Sequence, residues 1–194
     1  MKIGIDIDEV LASFVAALFD YHNKTRGTHF DKREIKSNFF SDYVKFSKEE
    51  TSDFLDEFFN SDANQYVEPV FGSIEAIKSL DKFELIAITI RPHHWQKQTG
   101  DWLVKNFGKA FKDLYMLGKE GSSEGGVLKS KEELAVELGI NIFIEDSLST
   151  AKKLSEKGIP VILLDKPWNQ GETSENVYRV KTWEEVLEKI NIFI

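Results

Sequence analysis

Seven polar residues stand far apart in the chain yet share one kind of position. Asp6 and Asp8 follow the apolar run from Ile3, Thr89 and Arg91 follow Leu85–Ile88, and Glu145 and Asp146 follow Asn141–Ile144, while Lys131 opens the helical stretch leading into that last run. In an open parallel sheet, ligands bind beyond the carboxyl ends of the strands, so these residues would meet at one edge. Each has an ordinary reading alone. Asp-x-Asp after a strand is commonly a turn, and Glu145-Asp146-Ser147 before a helix can be a cap and dipole partner. Thr89 can simply end a strand, Lys131 can be a solvated first-turn residue, and Arg91 can pair with any surface acid. So many coincidences at one edge favour a site.

The chemistry that fits is phosphoryl transfer. Clustered carboxylates repel one another unless a cation joins them, and hard oxygen ligands completed by water suit Mg²⁺. A carboxylate can serve as nucleophile, and a second one two residues on as general acid, then base. Thr89, Lys131 and loop N–H groups would stabilise charge on the equatorial oxygens.

The elements that must position these groups are legible in the residue pattern. Lys2–Ile7, Phe83–Thr89, Leu114–Leu117, Asn141–Ile144, Pro160–Leu164 and Val177–Val180 read as strands. Leu11–His22, Phe71–Leu80, His94–Phe107, Lys131–Leu138, Ser149–Lys157 and Trp183–Ile190 read as helices. Ser130 with Glu133, and Ser47 with Glu50, have capping-box spacing. Strands alternating with helices imply a parallel sheet covered on both faces. The Phe-rich stretch Phe30–Asn64 has a helical period and breaks that rhythm. The expected organisation is a core of residues 1–10 and 69–194 with a helical cap of residues 11–68 inserted after the first strand. Gly118–Gly126 reads as a Gly/Ser loop.

Composition bounds the partners. The chain has 194 residues, no cysteine and a net charge of −8. The length fits one domain with an insertion or a small second one, and the absent thiols exclude cysteine nucleophiles and zinc-thiolate sites. The acidic balance argues against nucleic-acid polymers and anionic membranes, which need clustered Lys and Arg. No apolar run is long enough to span a bilayer, and Met1-Lys2 runs directly into the first strand, so a cytoplasmic protein is expected. Of 15 Phe, nine fall between Phe14 and Phe59.

These motifs, in this order, resemble the haloacid dehalogenase (HAD) superfamily of phosphohydrolases. The first motif is matched by Ile3–Val10, the second by Ile86–Thr89, the lysine by Lys131 and the acidic pair by Ile144-Glu145-Asp146. Within it, the run Asp6-Ile7-Asp8-Glu9-Val10-Leu11-Ala12-Ser13-Phe14, the Thr89-Ile90-Arg91 continuation and Trp102 to Phe107-Gly108 and Phe111 are similar to the 5'(3')-deoxyribonucleotidase-like (type C 5'-nucleotidase) family. The resemblance implies an α/β HAD-like fold with an inserted cap. It implies a Mg²⁺-dependent phosphatase acting on a small phosphomonoester, a (deoxy)nucleoside monophosphate first, through an aspartyl-phosphate.

Carried over, Asp6 is nucleophile and Mg²⁺ ligand, and Asp8 is acid/base and gives its carbonyl to the metal. Glu145 is a ligand, directly or through water, with Asp146 assisting. Thr89 and Lys131 bind phosphate, with Lys129 the alternative lysine, and Phe14 and Arg91 line the substrate pocket. Two substitutions depart from the family pattern: Glu9 where Gly is common, and Glu rather than Asp first in the acidic pair. A non-nucleotide phosphometabolite, a phosphotransferase and a non-catalytic Mg²⁺-binding phosphoacceptor stay open, as does a homodimer.

Four further features have a bland reading beside a functional one. His93-His94 reads as a solvated helix start rather than a metal site, and Trp95 with Trp102 as one buried helix face. Pro167–Gln170 is balanced between loop packing and the edge of the site. The pentapeptide Ile-Asn-Ile-Phe-Ile at 140–144 and 190–194 reads as chance, though a β-prone tail could pair with a strand.

Overall fold

A computed structural model describes residues 1–119 and 129–193. Six strands form one wholly parallel sheet in the order β3-β2-β1-β4-β5-β6. They are β1 (Lys2–Ile5), β2 (Glu84–Pro92), β3 (Phe111–Gly118), β4 (Ile142–Glu145), β5 (Val161–Leu164) and β6 (Val177–Val180). The helices are α1 (Phe14–Arg26), α2 (Lys48–Asn60), α3 (Ser73–Ser79), α4 (Gln96–Phe107), α5 (Lys131–Leu138), α6 (Leu148–Glu156) and α7 (Trp183–Ile192). No helix of the described residues is long and apolar enough to cross a membrane.

The strands bury side chains on both faces, so they read as continuous apolar runs rather than alternations. Leu85 and Ala87 of β2 and Ile142 and Ile144 of β4 pack on the side of α3, α4 and α7. Ile86, Ile88 and Phe143 pack with Leu134 of α5 and Leu154 of α6 on the other. The pairs Gly4↔Ile86 and Gly4↔Phe143 put β1 between β2 and β4, so its C-terminal end sits at the middle of the sheet edge.

Local departures from expectation have local causes. Helix α1 starts at Phe14, not Leu11, because Ile7–Ala12 first closes a tight turn in which the Ile7 carbonyl accepts from Leu11 and Ala12 N–H. Phe30–Asn64 is not one helical stretch. Short 3₁₀ turns at Lys32–Glu34, Phe40–Asp42 and Asp62–Tyr66 flank α2, and Asp31, Ser47 and Ser61 side chains each accept a backbone N–H that starts a new turn. Both capping boxes are present, Ser47/Glu50 and Ser130/Glu133. Strand β2 runs on to Pro92 with a bulge between Thr89 and Pro92. There Gly118 is required: a Cβ would lie 2.1 Å from the Ile90 carbonyl oxygen. The rest of the expected Gly118–Gly126 loop, beyond Lys119, falls outside the described residues.

Between β1 and β2 the aromatic residues pack on one another. Phe40 stacks on Phe54 at 4.9 Å, Phe19 meets Phe30 and Tyr43, and His22 lies among Phe30, Phe40, Phe46 and Phe54. These residues belong to the same apolar cluster as the sheet face, so the segment shares its core with the sheet rather than closing one of its own. Two seams fasten it. Phe59 of α2 stacks on Trp95 at 4.0 Å, and Asp56 Oδ1 accepts from the Trp95 indole and pairs with His94 Nε2, each at 2.8 Å. The last helix reaches the first turn as well, where Trp183 Nε1 donates to the Val10 carbonyl at 3.1 Å.

Candidate active site

A cavity of about 290 Å³ opens at the C-terminal edge of the sheet, between it and the helical segment. Its floor holds Asp6, Lys131, Glu145 and Asp146, and Asp8 and Arg91 stand at its side. The wall opposite carries Phe14, Leu18, Phe39, Phe40, Leu55 and Trp95.

The floor is a buried charge cluster. Asp6, Lys131, Glu145 and Asp146 are at most 6% exposed. Lys131 Nζ lies 2.8 Å from Asp6 Oδ1 and 2.9 Å from Glu145 Oε2. Lys129 instead pairs with Glu137 away from the cluster, so of the two lysines only Lys131 reaches it. Asp6 is pinned through its main-chain N–H to the Ile144 carbonyl at 3.0 Å. Its Oδ1 also accepts the Ile7 N–H at 2.8 Å, while no hydrogen bond reaches Oδ2 among the described residues.

One ammonium does not neutralise this many carboxylates. Burial, then Glu145, push the Asp6 carboxyl up to about 7 against the pull of Lys131. Burial and Asp6 push Asp146 up to about 7, and burial raises Glu145. Burial alone would lower Lys131, but Asp6 and Glu145 outweigh it and hold the ammonium above the ordinary lysine range. Asp6, Glu145 and Asp146 each offer an oxygen within 4.8 Å of the others. A buried, oxygen-only set short of positive charge is what a hard divalent cation requires.

Asp8 stands beside the cluster under a different constraint. Arg91 Nη2 donates to its Oδ1 at 2.6 Å and Nε to its Oδ2 at 3.1 Å, a two-point grip. The guanidinium is fixed in turn by the Thr99 hydroxyl at 3.1 Å and by the Phe14 and Phe59 ring faces at 5.0 and 5.1 Å. Thr89 is the one expected site residue the structure does not bring to the cavity wall. It is fully buried, and its hydroxyl accepts the Arg91 N–H at 3.2 Å, because β2 continues past it toward Pro92.

Glu9 has a structural role that its position in the motif obscures. It adopts φ of 60°, the left-handed region where Gly is easiest. Its carboxylate accepts the Val15 N–H at 2.8 Å, capping α1 where Ser13 makes no side-chain cap. His93 and His94 join no group of candidate metal ligands among the described residues. Trp95 and Trp102 are both buried, and the Trp102 indole donates to the Val67 carbonyl at 2.9 Å. Sequence reasoning gave no role to Phe39 or Asn38, which line the cavity; a Phe beside Asn in a polar stretch was the available signal.

The family model for "5' nucleotidase, deoxy (Pyrimidine), cytosolic type C protein" matches residues 1–193. The chain belongs to this family. Among curated relatives of this type C nucleotidase chain, "Putative nucleotidase YqfW" of Bacillus subtilis is 25% identical over 98% of the chain and 94% of its own length. "Putative nucleotidase BH1399" of Halalkalibacterium halodurans is 34% identical over 53% of the chain, a match that spans 48% of that relative. Among solved structures, a haloacid dehalogenase-like hydrolase, SP0104 from Streptococcus pneumoniae, superposes with a TM-score of 0.67 at 16% identity, covering 97% of each chain. The HAD-hydrolase YfnB from Bacillus subtilis, solved bound to magnesium, gives 0.64 at 17% identity, covering 98% of each. The type C nucleotidase chain is thus a phosphoric monoester hydrolase on a HAD fold.

Proposed function

We propose that the chain is a Mg²⁺-dependent phosphatase that hydrolyses a (deoxy)nucleoside monophosphate through an aspartyl-phosphate on Asp6. The observation that supports this most is the cavity itself. One end is a buried carboxylate cluster with a single lysine, and the other is an aromatic wall that suits a flat leaving group. In this reading residues 11–68 are a cap over a core of 1–10 and 69–194.

Asp6 Oδ2, which no hydrogen bond reaches among the described residues, attacks phosphorus as the ester P–O bond breaks. Asp8, with one oxygen released from the Arg91 grip and protonated, gives that proton to the leaving oxygen and then takes one from the water that cleaves the aspartyl-phosphate, restoring Asp6 and releasing phosphate. Lys131 stabilises the phosphoryl oxygens. The Thr89 hydroxyl accepts the Arg91 amide N–H and keeps its own O–H to donate, and the phosphate contact expected of it needs the buried side chain to become reachable from the cavity. Asp6, Glu145 and Asp146, with the Asp8 carbonyl, would hold Mg²⁺, which supplies charge neutralisation at the phosphoryl group.

A phosphate-release screen over ribo- and deoxyribonucleoside 5'- and 3'-monophosphates, with sugar phosphates as controls, tests the proposal. Release from a nucleotide that EDTA and Asp6→Asn both stop is the expected result. Release from sugar phosphates alone would replace the nucleotide reading. Transfer of phosphate to an acceptor, or a lasting phospho-protein, would replace hydrolysis.

A further inference from the structure

Asp146 is buried in the floor of the site, yet its partners come from outside β4 and α6. They lie on the loop that follows β5. The Trp168 indole Nε1–H donates to Asp146 Oδ2 at 2.8 Å. The amide Nδ2 of the next residue, Asn169, donates to the Asp146 main-chain carbonyl at 2.7 Å and to the Leu164 carbonyl at 2.6 Å. Asn169 is 1% exposed, and its Oδ1 accepts from the Lys166 N–H at 3.1 Å and from Arg179 Nη1 at 2.5 Å. Arg179, on β6, also grips Asp165 Oδ1 at 3.0 Å and the main-chain oxygens of Asn169 at 2.8 Å and Gly171 at 3.2 Å. The chain of contacts thus runs from the edge strand β6 through the loop to the acid at the centre of the site.

The chemistry of each donor matters. An indole has one N–H and accepts nothing, so Trp168 occupies a single oxygen of Asp146 and leaves the other open. The Asn169 amide fixes the backbone that carries the same residue, so both ends of Asp146 are set. Packing alone would not require an indole N–H aimed at a carboxylate. Groups that hold a metal's ligands in this way set its affinity, and losing one costs about 10–100-fold in metal affinity or activity.

We infer that Trp168 and Asn169 are positioning residues for Asp146, orienting it toward the cation it would share with Asp6 and Glu145. Arg179 fixes the loop that carries them. The inference rests on the Mg²⁺ reading above, and it resolves the balance at Pro167–Gln170 in favour of the site.

The test is calorimetric titration of the full chain with Mg²⁺, without substrate, alongside thermal melting without metal. In Trp168→Phe the ring stays and the N–H goes. Mg²⁺ affinity should fall by roughly tenfold while the metal-free melting temperature stays within a few degrees of the parent. Arg179→Gln should weaken Mg²⁺ in the same direction by less. In turnover, Trp168→Phe should need more Mg²⁺ yet recover near-parental kcat when Mg²⁺ is saturating, with KM for the nucleotide unmoved. Parental Mg²⁺ affinity in a folded Trp168→Phe overturns the inference and leaves the metal reading standing. If that variant does not fold, parental affinity in Arg179→Gln overturns it instead. No Mg²⁺ binding by the parent protein would remove the metal reading and this inference together.

Discussion

The two ends of the cavity are built on opposite principles. The floor gathers three buried carboxylates and one lysine on the ends of β1 and β4 and the start of α5, each tied by specific polar contacts. The wall is made of rings held mostly by packing, on short turns and on α1 and α2. Charge at the floor is kept against its own repulsion, so the floor is poised for a ligand and costs stability without one. The wall gains stability from its burial and presents only shape and apolar surface. A strand edge can hold a carboxylate to a fraction of an ångström; a cluster of rings can accommodate leaving groups of different outline.

The strongest way to break this contrast is to remove a floor group. Asp6→Asn should lower kcat by about 10³-fold or more, since the covalent route is lost, and Asp8→Asn by about 10²–10⁴-fold; steady-state phosphate release measures both. Lys131→Met should cost about 10²–10³-fold in kcat and leave Asp6 and Glu145 without their cation. A wall residue should behave differently. Phe14→Ala should raise KM for nucleotides roughly tenfold, the scale of one aromatic stack on a base, with kcat changed far less. If Phe14→Ala lowered kcat and left KM alone, the division of labour would be wrong.

Acid should act on the two ends with opposite signs. Asp6 and Asp146 have carboxyls raised to about 7 by burial, so without metal their burden on the fold is full above pH 7 and is relieved as pH falls toward the ordinary carboxylate range. His22 is lowered by its burial. Its contribution is present above its unfolded value near 6.5 and is lost as pH falls below it. Metal-free melting from pH 8 to 5 should therefore show the floor gaining, and His22→Phe should steepen that gain by removing the opposing term. Adding Mg²⁺ at pH 8 should raise the melting temperature and flatten the profile.

The smallest expected effect separates the ends through a matched pair of caps. Ser47→Ala and Ser130→Ala each remove a capping-box acceptor worth about 1 kcal/mol. Both should lower stability alike in denaturant titrations. Only Ser130→Ala, at the start of the Lys131 helix, should also depress kcat.

The same division governs what the residues reveal in advance. The floor was legible because each group sits at the end of an apolar run, and a parallel sheet sends all such ends to one edge. Lys131 was legible from Ser130 and Glu133. Of the wall only Phe14 was, through the family resemblance; the rest was hidden because Phe30–Asn64 has a helical period with side chains that interrupt the helix: Asp31 and Ser47 accept backbone N–H groups and start new turns. The repeated pentapeptide makes the point again. Ile142 opens β4 between β1 and β5, while its counterpart Ile192 ends α7 as helix, so the same residue in the same local sequence follows its surroundings. Contacts such as Trp168 on Asp146 join residues 22 positions apart and leave no local mark at all.

The placement of β1 has a consequence for how the protein comes into being. The strand that carries Asp6 is first in the chain but lies in the middle of the sheet, and its other neighbour, β4, ends at Glu145. The turn after it waits longer still, for a Trp183 indole 173 residues downstream. During synthesis at about 5–20 residues per second, Asp6 emerges early yet cannot meet Lys131 and Glu145 until most of the chain has followed. A chain that ends before β4 therefore carries Asp6 without Glu145 and Asp146, the carboxylates that stand beside it.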